Sequence, residues 1–281
     1  MLFVRLLYLL IFLCVSSTGY AQVKLVTTIL PLQLIANEIT SGISNPTVIL
    51  DGTQDPHHPA LRPSQRLQIG EAELFVWVGP ALETGFDRII GDLDARIVTA
   101  MDLPIIIHAL GDQADPHVWL DTSNAAAIAK SITSMLVDLD PGNEAVFRNN
   151  LAAFQLKTAK LEKDIQQLLD TTSFPPYVVY HDAFQYFEKQ AGLAHEASFT
   201  GNEEIQPGIR KILEVKNILE VTNARCIIVS ASVNSEFLQN QLDVDGLRFV
   251  EADVLGSSLD DALSYNQLML SLAGAFNRCR Q

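Results

Sequence analysis

An α/β fold of two lobes, each a mainly parallel sheet flanked by helices and joined by one long rigid helix, is what this sequence predicts. Two observations carry the expectation. Short apolar runs of strand length alternate with stretches of helical periodicity on both sides of the chain's middle, and such alternation argues for parallel βαβ units. Between them, from Pro141 to Asp170, nothing breaks a helical pattern after Gly142. A helix of nearly 30 residues would reach about 40 Å, more than one domain layer needs, so it reads as a connector.

The elements follow in order. Residues 24–28 read as a strand, and a helix begins near Pro31, with Leu32, Leu34, Ile35 and Ile39 on one face. Residues 47–50 form the next strand, followed by a helix at 64–69, a strand at 74–78, a helix at 82–90 and a strand at 96–99. Residues 121–138 read as a helix, with Ala125, Ile128, Ile132 and Leu136 on one side and Asp121 or Thr122 as its cap. In the long segment Val146, Leu151, Phe154, Leu161, Ile165 and Leu168 recur at helical spacing. After Pro175 and Pro176 come strand 177–180, helix 182–191, strand 197–199 and helix 207–222, then strand 226–229, helix 235–242, strand 247–250 and a final helix at 264–279. The expected domains are a lobe at 22–140, the connector at 141–172 and a lobe at 173–281, with a ligand cleft between the lobes.

Residues 1–21 have the layout of a secretory signal: Arg5, the apolar stretch 6–15, then small and polar residues up to Ala21, after which cleavage is expected. The stretch is shorter than the roughly 20 residues of a spanning helix. Leu13 stands before Cys14 where lipoprotein processing wants a small side chain, so lipidation is the weaker reading. About 260 residues then remain, enough for two domains with their own cores. Export makes Cys226 and Cys279 a disulfide candidate, tying the last helix to a strand; the alternative is two buried thiols.

The chain carries 19 Lys and Arg against 33 Asp and Glu, a net charge of −14. That surface opposes nucleic acid binding, which needs a positive face.

Chemistry concentrates in residues far apart in sequence. His57 lies in Asp55-Pro-His-His-Pro-Ala-Leu-Arg-Pro-Ser64, a loop stiffened by prolines; adjacent side chains seldom reach one point, so one ligand is expected from His57 and His58. His117 lies in Asp115-Pro-His-Val-Trp-Leu-Asp121, His181 closes the strand at 177–180, and Asp253 follows the strand at 247–250. Ligands of open parallel sheets bind beyond the carboxyl ends of strands. Imidazole nitrogens and a carboxylate suit a tetrahedral zinc ion. Each residue alone has a bland reading, a surface loop or a satisfied core histidine.

Together these segments resemble the metal-binding solute receptors of ABC importers, and most closely those for zinc. The resemblance runs from about Lys24 to Cys279 on Pro56-His57 with Ala60-Leu-Arg-Pro-Ser64, Val76-Trp-Val-Gly-Pro80 with Leu82-Glu83, Asp115-Pro-His-Val-Trp-Leu120, Tyr180-His-Asp-Ala-Phe184 and Tyr186-Phe-Glu-Lys-Gln190. Phe199-Thr200, Glu204-Ile-Gln-Pro-Gly208 and Asp253-Val-Leu-Gly256 extend it. It implies two lobes joined by a backbone helix and metal ligation by His57, His117 and His181, with Asp253 or water in the fourth position. It also implies a periplasmic receptor, a monomer, that delivers Zn2+ to a membrane permease driven by a cytoplasmic ATPase.

The chain departs from the pattern in that Ile107-His-Ala-Leu-Gly-Asp-Gln-Ala114 is short, with only His108, where many zinc receptors carry a His-rich loop. Ser230-Ala-Ser-Val233 stands where relatives have a Glu-Pro segment. His58 replaces another polar residue, and Val254 stands where proline is frequent.

Three imidazoles with at most one carboxylate favour zinc over manganese, which prefers oxygen; the similar manganese receptors carry glutamate in place of the third histidine. Copper and nickel would also take three imidazoles. Affinity should fall as pH drops through the range where imidazole protonates, near 6.5. The rival from another class is a secreted zinc hydrolase, but the chain contains no His-Glu-x-x-His, no Gly-x-Ser-x-Gly and no phosphate-binding Gly-Lys loop. An adhesin is a third reading, with no adhesive repeat to support it. A binding protein and no enzyme is therefore expected.

Overall fold

A computed structural model describes residues 22–52, 54–110, 113–201, 206–258 and 264–280. The signal-like segment and Glu204 with Ile205 of the Glu204–Gly208 motif lie outside the described residues.

In chain order the elements are β1 (Leu25–Thr27), α1 (Leu30–Thr40), β2 (Thr47–Val48), α2 (Pro63–Gly70), β3 (Leu74–Trp77), α3 (Phe86–Ile90) and β4 (Arg96–Thr99). Then come β5 (Ala109–Leu110), β6 (Gln113–Ala114), α4 (Thr122–Leu139), α5 (Glu144–Leu169), β7 (Tyr177–His181), α6 (Gln185–Ala191) and β8 (Ser198–Thr200). The chain closes with α7 (Ile209–Thr222), β9 (Cys226–Val229), α8 (Ser235–Leu242), β10 (Arg248–Glu251) and α9 (Tyr265–Arg278).

The strands form two parallel sheets, ordered β2-β1-β3-β4 and β10-β9-β7-β8. The short antiparallel pair β5-β6 stands apart from both. Parallel strands covered on both faces become continuous apolar runs, and β3, β7 and β9 are buried along their whole length. Side-chain alternation divides the second sheet's two faces. Tyr177, Val179, Cys226 and Ile228 enter one cluster that begins at Leu25 and takes in the first sheet, α1, α4, α5 and α9. Val178, Tyr180, Ile227 and Val229 pack instead with Ile212, Val215, Leu219, Leu238 and Leu242 of α7 and α8.

The connector is present. Pro141–Asn143 form one tight turn and α5 runs 26 residues, about 39 Å. It ends at Asp170, which adopts the left-handed φ of 35°. Phe147, Phe154, Leu161, Ile165 and Leu169 line its buried side, and α1, α4 and α9 lie against it. Asp121 caps α4, accepting from the backbone N–H groups of Ser123 and Asn124. Cys226 and Cys279 are joined, with Cα atoms 5.5 Å apart.

Two expected helices are shorter. The one at 82–90 is helical only from Phe86, because Gly85 takes φ 87° and the Glu83 carboxylate accepts from the N–H groups of Val78 and Gly79, folding that stretch into a turn. The one at 182–191 starts at Gln185, because Asp182 N–H donates to Thr200 and Ala183 N–H to His181, holding residues 182–184 against the sheet edge.

Candidate metal centre

His57 sits in the loop after the edge strand β2. Ile49 and Leu50 N–H groups donate to Thr27 and Thr28, fastening the loop's root to β1. Gln65 at the start of α2 donates to Ile49 O and, at 2.8 Å, to Gln54 Oε1. Asp55 Oδ1 accepts from His57 N–H at 2.9 Å, and Thr84 Oγ1 donates to His57 O. His57 is half-buried and its neighbour His58 is exposed, so the pair sends one imidazole inward.

His117 is held more tightly. Asp115, wholly buried, accepts from His117 N–H at 3.0 Å and from the ring at Nδ1 at 2.7 Å. A carboxylate only accepts, so Nδ1 carries the proton and Nε2 keeps its lone pair for a metal. The Trp119 ring lies 5.3 Å from that of His117. His181 is the last residue of β7, 5 % exposed, opposite Thr200 on β8.

The three imidazoles converge. Ring centroids are 5.8 Å apart for His57 and His117, 5.8 Å for His57 and His181, and 5.0 Å for His117 and His181. One nitrogen from each lies within 4.8 Å of the others. Zinc bound at about 2.0–2.1 Å to each nitrogen needs them about 3.4 Å apart, a small closure from this arrangement. Among the described residues this is the one group of histidine, cysteine or carboxylate side chains gathered closely enough to hold an ion.

Asp253 is not in that group. It lies two residues beyond β10, as a strand-end ligand should, yet its oxygens are engaged locally. Oδ1 accepts from Leu255 and Gly256 N–H at 3.0 and 2.8 Å, and Oδ2 from Ser258 N–H and the hydroxyls of Ser257 and Ser258 at 2.7, 3.1 and 2.8 Å. The residues after it, Val254 and Leu255, line the cleft. His108 and His195 lie outside the group as well. The His108 ring rests on Tyr186, 4.6 Å away, and burial lowers its pKa. Burial works against charge on His195, but the Glu188 carboxylate at 2.9 Å outweighs it and raises the pKa.

The imidazoles open into a cavity of about 440 Å³ walled by Gln54, Asp55, Trp119, Tyr180, Asn234, Phe237, Val254 and Leu255. The His117 segment is pinned to the second half of the chain on its far side. Tyr186 OH donates to Asp115 O at 2.8 Å, Tyr265 OH to Trp119 O at 2.7 Å, Trp119 Nε1 to Val254 O at 2.9 Å, and Gln190 Nε2 to Thr122 Oγ1 at 2.7 Å. Asp115 was visible in the motif around His117. Tyr186 and Gln190 were legible only as motif members and Thr84 carried no signal, because their partners lie 27 to 71 residues away.

Two parallel α/β sheets on a backbone helix, with an imidazole cluster in the cleft between them, form the architecture of a metal-binding solute receptor. The family model described as zinc-uptake complex component A, periplasmic (ZnuA), matches residues 25–279, and the chain belongs to that family. It is similar to the high-affinity zinc uptake system protein ZnuA of Yersinia pestis, 28 % identical over 299 residues covering 95 % of this chain and 94 % of that protein. In fold it is similar to a crystal structure of ZnuA, with TM-score 0.80 and 19 % identity over 93 % of this chain and 100 % of that one. A second likeness is to the periplasmic zinc-binding protein TroA of Treponema pallidum, with TM-score 0.80 and 19 % identity over 92 % and 99 %. No helix among the described residues is long and apolar enough to cross a membrane.

Proposed function

We propose that this chain, after loss of residues 1–21 on export, captures Zn2+ in the periplasm with the imidazoles of His57, His117 and His181 and delivers it, as a monomer, to an ABC permease. The observation that carries the reading is the convergence of those rings with the buried Asp115 fixing the His117 tautomer. The ion arrives hydrated and exchanges waters for nitrogens. A fourth position falls to Asp253 or to water, and the engagement of both Asp253 oxygens in their own turn favours water. Residues 22–140 and 173–281 act as the two walls of the cleft and 141–172 as its spine.

Selectivity follows from the donors. Three neutral nitrogens suit zinc better than manganese or magnesium, which prefer oxygen. The protein acts as a carrier of the ion, with no chemical turnover of its own.

The test is calorimetric. The mature chain, stripped with chelator, is titrated with zinc and with manganese beside the His57→Ala variant. One tight zinc site, weakened by orders of magnitude in the variant and with manganese far weaker, is expected. Zinc binding that is absent, or equal in the variant, sinks the assignment.

A further inference from the structure

The loop that presents His57 closely approaches the opposite wall of the cleft at Gly52. Gly52 has φ 77°, and a Cβ built on it would lie 2.5 Å from Ser257 Cβ and 3.1 Å from Ser257 Cα. The backbone at 52 therefore lies flat against the turn that follows β10. That turn is the one Asp253 organises, its carboxylate gathering donors from Leu255, Gly256, Ser257 and Ser258. On its own side the His57 loop is held by Gln65, Asp55 and Thr84. Across the cleft, Gly52 against Ser257 is its close approach.

We infer that the contact of Gly52 with the Asp253-braced turn is the docking point that sets the His57 loop across the cleft, making Gly52 and Asp253 positioning residues for metal capture. The inference rests on the three-histidine reading above. His57 is the one member of the trio that is not buried, so the entropy of placing it is a larger part of its contribution to binding. A loop fixed in advance loses less freedom when the ion arrives, and affinity rises accordingly. Asp253 then acts on zinc through the shape of the turn, with its oxygens directed at backbone and hydroxyl donors.

The experiment compares zinc affinity and the visible spectrum of bound Co2+ in the full mature chain and five variants. Gly52→Ala brings both a Cβ clash and an unfavourable positive φ. Gly42→Ala is its control, since Gly42 has φ 82° with nothing near a Cβ. Steric insertion at a packed contact should weaken zinc binding in Gly52→Ala by roughly tenfold or more, while Gly42→Ala stays near wild type. Adding Ser257→Gly to Gly52→Ala removes the nearest clash and should restore part of the loss, measured against Ser257→Gly alone. Asp253→Asn loses acceptor capacity at one oxygen and should weaken binding while leaving the Co2+ spectrum, and so the donor set, unchanged.

A Co2+ spectrum altered by Asp253→Asn would make Asp253 a ligand and overturn the inference. So would wild-type affinity in Gly52→Ala. Loss of the zinc site in wild type itself, or its indifference to His57→Ala, would instead overturn the three-histidine reading beneath it.

Discussion

Asp115 Oδ1 lies 2.7 Å from His117 Nδ1, with the carboxylate wholly buried and the imidazole 2 % exposed. That single contact decides which nitrogen of His117 faces the cleft, because the proton must sit on the side of the acceptor. Replacing the carboxylate by an amide removes the charge and permits the opposite tautomer. Asp115→Asn is expected to lower zinc affinity about 10- to 100-fold, the usual cost of losing a partner behind a metal ligand; titration beside wild type, with circular dichroism to confirm folding, checks it.

The histidines should separate into two classes. His181→Ala removes one of the three converging nitrogens and should cost orders of magnitude in zinc affinity with little change in apo stability. His195→Ala should do the reverse. It breaks a part-buried pair with Glu188 and is expected to destabilise the fold by about 1–2 kcal/mol, with zinc affinity retained. Equal losses of affinity in the two variants would contradict the assignment.

Glu83 carries a pH signature. Burial raises its pKa to about 7, against the opposing hydrogen bonds from Thr28, Gly79 and Val78. In the unfolded chain it ionises near 4.5. Between those values the folded state holds a proton that the unfolded state has released, so stability falls as pH rises from 4.5 to 7. Glu83→Gln removes that slope. The stability difference between wild type and variant should shift by about 3 kcal/mol between pH 4 and pH 8; urea melts at both values measure it, and a constant difference would show that folding leaves the Glu83 pKa unshifted.

The bridge between Cys226 and Cys279 spans 53 residues. Closing a loop of that length is worth about 4 kcal/mol in the chain-entropy model. The double variant with alanine at both positions should lose stability of that order while binding zinc normally, because neither sulfur lies at the cleft. Thermal melting with and without reductant gives the same comparison in the wild-type chain.

Much of this was readable in advance. The spine helix was plain from the unbroken apolar spacing of Phe154, Leu161 and Ile165, and the strands from their runs, since both depend on local periodicity. The three histidines were named because their motifs stand in a familiar order. Periodicity failed at Gly85, where a carboxylate five residues from Val78 folds the backbone into a turn, and at 109–114, where the paired strands are two residues each and leave no period to detect. Asp253 was expected among the ligands. Sequence could place it at a strand end but could not show that donors from four following residues gather on its oxygens. The approach of Gly52 to Ser257 joins positions some 200 residues apart, beyond any local rule.

The apolar cluster that takes in both Leu25 and Cys279 has a consequence for cooperativity. Tyr265, Leu268, Met269, Leu272 and Phe276 of α9 complete an interior shared with α1 and β1. Without them the flanks of α1 and α5 would be wet. Melting of α9 is thus tied to melting of the first sheet, whose core it shares.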